Sequence, residues 1–165
     1  MATSLEELRV LREAEAVADA VWHEAVQWEP FPRQVVGEQL ARAADSVGAN
    51  IAEAFGRFHY GEKLQLLYYA RGSLFETKYW LNRVMARDLM TLDQAQGYIS
   101  RLTDIACQLN AFAKSLKSQR HKPSGQIDGV HEASADYIAE TVQDISDALF
   151  TDAELEWLRT IDDNL

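Results

Sequence analysis

Residues 46–81 read SVGANIAEAFGRFHYGEKLQLLYYARGSLFETKYWL. The apolar spacing is that of a helix end, a glycine-marked break and most of a second helix. On the second helix the apolar residues do not keep to one stripe. Leu67, Leu74 and Leu81 share one face, Leu64, Tyr68, Phe75 and Tyr79 a second, and Leu66, Tyr69 and Trp80 a third. A helix that is apolar most of the way round has to be covered most of the way round. Self-association is the natural cover, and Leu67, Tyr68, Phe75 and Tyr79 are assigned to an interface between copies.

The same stretch carries polar groups at helical spacing. Ser46, Asn50 and Glu53 fall on one face of the first helix, with Arg57 just past its end. Ser73 and Glu76 share a face of the second helix with Tyr69 and Trp80. A short connection makes the two helices an antiparallel hairpin, so the polar strips can meet. The favoured reading is a structural polar seam of Ser46, Asn50, Glu53, Arg57, Ser73 and Glu76, buried and mutually hydrogen-bonded. Unpartnered buried polar groups cost about 1–3 kcal/mol, so such a seam must be satisfied. The competing reading pairs Glu53 and Glu76 as general acid and base. No nucleophile or phosphate loop stands nearby, and neither GxxxxGK[ST], GxGxxG, HExxH nor CxxC occurs in the chain.

Outward from this stretch the periodicity stays helical. Val10, Ala14, Val17, Val21, Ala25 and Trp28 give a first helix over about 4–28, with Ser4 and Glu7 as a capping box and Pro30 and Pro32 as the stop. Val36, Leu40, Ala43, Val47, Ile51 and Phe55 give a second, rich in small residues that admit a close neighbour. It is expected to end on a left-handed Gly56. The third runs over about 61–87. Thr91 and Gln94 open a fourth, whose stripe is Leu92, Ala95, Ile99, Leu102, Ala106, Leu109, Ala113 and Leu116. Lys114, Lys117, Arg120 and Lys122 gather at its end. They are a candidate nucleic-acid patch, or simply cations opposing the helix dipole. Residues 118–130 read as a linker. Residues 131–165 read as an acidic helical extension, with a helix over 132–150 and a last one opened by Thr151 and Glu154.

The 165-residue chain is 47% hydrophobic, enough for one real core. Its net charge of −10 is uneven. Residues 1–122 hold 15 basic and 15 acidic groups, whereas residues 123–165 hold one basic and 11 acidic. An acidic tail opposes nucleic-acid binding unless it lies away from the contact surface. One cysteine, Cys107, forms no internal disulfide, and the histidines are scattered. No cofactor or metal is expected. The absence of a leader pattern and of a long apolar run points to a soluble cytoplasmic protein that meets no membrane.

The motifs QLARAADSVGANIAEAFGR and LYYARGSLFETKYWL resemble the four-helix-bundle family of 23S rRNA intervening-sequence proteins, over roughly Val21 to Lys117. That family includes the accessory variability determinant of diversity-generating retroelements. Gln39, Arg42, Ser46, Asn50 to Glu53, Gly56, Arg57, Ala70, Gly72 to Leu74 and Glu76 carry the likeness. Ala54 replaces a usual glycine, and FHYGEK lacks the usual Ser or Thr cap. The resemblance implies an antiparallel up-down four-helix bundle, here over 1–117, assembled as a homopentamer. It also implies, for the retroelement members, binding to reverse transcriptase and RNA through a basic surface. The expected function is a non-enzymatic, pentameric scaffold or interaction module with a protein partner. The alternative is a nucleic-acid-binding accessory subunit of a reverse transcriptase.

Overall fold

The structure is a computed structural model that describes residues 8–120 and 148–161. Within these residues it is helical, with no strand. The elements are α1 (Arg9–Ala25), the single turn α2 (Pro30–Pro32), a π-helical segment (Arg33–Gly37), α3 (Glu38–Gly56), α4 (Tyr60–Met85), α5 (Leu92–Arg120) and α6 (Asp152–Arg159).

The apolar stripes of α1, α3 and α5 are buried nearly as the sequence spaces them. On α1, Val10, Ala14, Val17, Val21 and Ala25 are buried, and Trp28 is half-buried beyond its end. Of the small residues of α3, Ala41, Ala43, Ala44, Gly48 and Ala54 are buried, and Gly48 lies close to Leu11 and Ala14 of α1. On α5, Ala95, Ile99, Leu102, Ala106, Leu109, Ala113 and Leu116 are all buried. Leu92 is the exception at 59% exposed, because it stands in the first turn, directly after the Thr91 cap. That cap forms as expected: the Thr91 hydroxyl accepts from the Gln94 N–H, and Gln94 Oε1 accepts from the Thr91 N–H.

Three local expectations change. The second helix is wound wide over Arg33–Gly37, where Gly37 passes under α1 and a Cβ would stand 3.3 Å from the Ala25 Cβ. Gly56 is not left-handed: it is the last residue of α3, and extended Arg57 (φ −75°, ψ 148°) ends the helix instead. Among the described residues the left-handed one is Asp88 (φ 53°), which turns the chain between α4 and α5, a conformation aspartate tolerates better than most. The Ser4–Glu7 cap and residues 132–147 of the helix read over 132–150 lie outside the described residues; residues 148–150 are a bend and not the end of a helix.

α1 packs on α3 and α5, and α4 also packs on α3 and α5. Leu149, Phe150 and Leu158 belong to the same buried cluster as the long helices. The described end of the extension is therefore folded against the helical domain. Among the described residues no helix is long and apolar enough to cross a membrane.

Candidate interaction site at the C-terminal helix

The six residues of the polar stretch do not form one network. Asn50, Glu53, Arg57, Ser73 and Glu76 make their side-chain hydrogen bonds along their own helices. Asn50 donates to the Ser46 carbonyl at 2.7 Å, and the Ser73 hydroxyl donates to the Tyr69 carbonyl at 3.1 Å. Arg57 donates to Glu53 one turn earlier, and Trp80 Nε1 donates to Glu76 at 3.4 Å. The Glu53 and Arg57 side chains are 49% and 46% exposed, and Glu76 is exposed too. The hydrogen bond and charge of Glu53 hold the Arg57 guanidinium above its ordinary pKa. The buried seam is thus corrected: Glu53, Arg57 and Glu76 are exposed, Ser46, Asn50 and Ser73 are half-buried, and the hydrogen bonds run along single helices. Among the described residues no hydrogen bond joins Glu53 to Glu76; Glu53 pairs with Arg57 and Glu76 with Trp80.

The assigned interface residues also separate. Leu67 is 0% exposed inside its own chain and is corrected to a core residue. Tyr68 is half-buried and Tyr79 is 54% exposed. Phe75 is covered by the chain's own C-terminal end. Of the basic patch, Lys114 is exposed and Lys117 half-buried. Lys122 and the side chain of Arg120 lie outside the described residues.

What covers Phe75 is the most developed polar and aromatic constellation of the structure. α6 starts with a capping box: the Thr151 hydroxyl accepts from the Glu154 N–H at 3.2 Å, and Glu154 Oε2 accepts from the Thr151 N–H at 2.9 Å. The other oxygen of Glu154 accepts from Arg71 of α4. Partial burial alone would raise the Glu154 carboxyl. Hydrogen bonds from Thr151, with the charge and hydrogen bond of Arg71, outweigh it and hold the group below its ordinary value.

Arg71 lies over the Phe75 ring at 4.8 Å from its centroid and 5.6 Å from that of Phe150. Phe75 stacks, tilted, between Phe150 at 5.7 Å and Trp157 at 5.4 Å. Lys78, one helical turn on, is fully buried; its Nζ lies 4.6 Å from the Trp157 centroid and donates to the Thr160 carbonyl. From α5, Asn110 holds the main chain of Phe150 at two points. It donates to the Phe150 carbonyl at 2.9 Å and accepts from the Phe150 N–H at 2.8 Å.

Sequence reading placed Thr151 and Glu154 in a cap but missed their site. One signal was available. Lys78 stands four residues after Leu74 and three before Leu81, on the leucine stripe itself. A lysine in that position needs a partner.

The described residues define an all-helical domain, α1 to α5, with an added helix docked on α4 and α5. The model of the 23S rRNA-intervening sequence protein family matches residues 6–111, and the chain belongs to that family. Arg71, Phe75, Lys78 and Asn110 fall inside the match, and α6 falls beyond it. No curated protein matches the chain.

Proposed function

We propose that the chain is a non-enzymatic scaffold that self-associates, as a homopentamer, and acts by holding protein partners in the cytoplasm. In this reading α1, α3, α4 and α5 are an antiparallel four-helix bundle. The closed cycle of packing, α1 to α3 to α4 to α5 and back to α1, supports it, as do the short connections over residues 57–59 and 86–91.

One observation carries self-association. α4 buries Leu67, Leu74 and Leu81 completely and still leaves Tyr69 and Tyr79 each 54% exposed. Tyr79 packs edge-on against half-buried Trp80, 5.1 Å between centroids. Aromatic side chains of this kind are enriched where proteins meet. The interface is therefore moved from Leu67 and Phe75 to Tyr69, Tyr79 and Trp80, with Tyr68 beside them. Light scattering of the native chain and of Tyr79→Arg tests it: the native mass is expected to be several chains and the variant mass to fall.

The second reading is an RNA-binding accessory subunit of a reverse transcriptase, of the kind found in diversity-generating retroelements. Exposed Lys114 near the end of α5 favours it. A salt titration of RNA binding tests it, because phosphate contacts give an affinity that falls steeply with salt.

A further inference from the structure

One polar atom of the groove that holds α6 is left unsatisfied. The Arg71 Nε is buried and has no hydrogen-bond partner among the described residues. The cause is geometric: Glu154 commits one carboxylate oxygen to the Thr151 cap and offers Arg71 only the other. An arginine fork takes two carboxylate oxygens side by side when both are available. Trp157, stacked on Phe75, remains 40% exposed. The groove residues Arg71, Phe75, Lys78 and Asn110 lie inside the family match and α6 lies outside it.

We propose that this groove is a docking site for an acidic amphipathic helix of a second protein, and that α6 is a competitor held in the same chain. The chemistry of the partner follows from the contacts. A carboxylate not engaged in capping would face Arg71 with both oxygens. Aromatic or large apolar side chains at the spacing of Phe150, Trp157 and Leu158 would cover Phe75. A main-chain carbonyl would receive Lys78. Asn110 sets the class of partner, because it donates to a carbonyl and accepts from an N–H of the same residue. A peptide main chain offers that pair and a phosphate backbone does not. Tethering gives α6 a high local concentration, so a free helix competes only when it binds the groove better or when α6 is weakened. The site does not depend on self-association, since every contact lies within one chain.

The test uses a fluorescent peptide with the sequence of residues 148–161, titrated by anisotropy into the native chain and into a full-length variant carrying Glu154→Lys and Trp157→Ala. Binding to the variant is expected to be at least tenfold tighter than to the native chain. Adding Asn110→Ala or Arg71→Glu to the variant should abolish it. Equal binding to native chain and variant, or binding indifferent to the groove substitutions, would overturn the proposal. Hydrogen exchange of the variant under excess peptide provides a second measurement. Exchange should slow in α4 and α5 around Arg71, Lys78 and Asn110, and exchange unchanged there under saturating peptide contradicts docking in the groove. A single-stranded RNA that displaces the bound peptide from the groove at a comparable concentration would overturn the helical partner in favour of nucleic acid.

Discussion

Lys78 of α4 donates its ammonium group to the main-chain carbonyl of Thr160, which lies 82 positions later in the chain. The donor is fully buried and sits within the family domain, while the acceptor lies beyond it. The interaction of Lys78 with the Trp157 ring adds a second contact between the same two segments. Burial of an ammonium group is tolerated only where such partners replace water.

Lys78→Ala removes the donor to the Thr160 carbonyl and opens a cavity. A loss of about 2–4 kcal/mol is expected in urea unfolding. Lys78→Met keeps the side-chain volume and removes the charge, so its loss should be smaller, about 1–2 kcal/mol. Equal stability of Lys78→Ala and the native chain would mean that the contact does not hold α6.

Glu154 serves the cap of α6 and the ion pair to Arg71 with different oxygens. Glu154→Gln keeps the cap, because glutamine also completes a capping box, and weakens only the pair. Glu154→Ala loses the pair and the reciprocal half of the capping box, while the Thr151 hydroxyl still accepts from the N–H of residue 154, and it should cost about 1–2 kcal/mol of local stability. Amide exchange in α6 should rank native slowest, Glu154→Gln next and Glu154→Ala fastest. A different order would separate the cap from the docking.

The lowered Glu154 carboxyl makes docking sensitive to acid. An acid whose folded value is depressed contributes fully above its ordinary value, about pH 4.3, and loses that contribution as the pH falls through the lower folded value. Trp157 fluorescence, taken as the difference between the native chain and Trp157→Phe, should therefore change below about pH 4. In Glu154→Gln this transition should vanish or become much smaller. The same transition in both would assign it to other carboxylates.

The long helices were legible because their stripes repeat at three and four residues and their caps are local. Thr91 with Gln94 and Thr151 with Glu154 formed as read. The site was not legible, because each of its pairs joins segments far apart in sequence. Nothing local connects Asn110 to Phe150 or Arg71 to Glu154. The polar strip around Asn50 misled for the complementary reason. Side chains at helical spacing can satisfy one another along their own helix, as Arg57 and Glu53 do, and need no neighbouring element. Phe75 was rightly read as needing cover, but the cover is Phe150 and Trp157 of its own chain.

Leu67 and Tyr79 should behave oppositely. Leu67→Ala empties a fully buried site and should lower stability by about 2–5 kcal/mol at any protein concentration. Tyr79→Ala removes a half-exposed ring and should leave the unfolding of a single chain within about 0.5 kcal/mol of native. Its effect should appear instead as a concentration-dependent loss of the assembled species in sedimentation. Destabilisation by Tyr79→Ala that is independent of concentration would place Tyr79 in the fold of one chain alone.

Self-association is the central claim, and the molar mass of the native chain in solution tests it most directly. Multi-angle light scattering at micromolar concentration should give about 93 kDa, five times the 18.6 kDa of one chain. A single species at 18.6 kDa would contradict the scaffold reading and leave the exposed tyrosines of α4 to another partner.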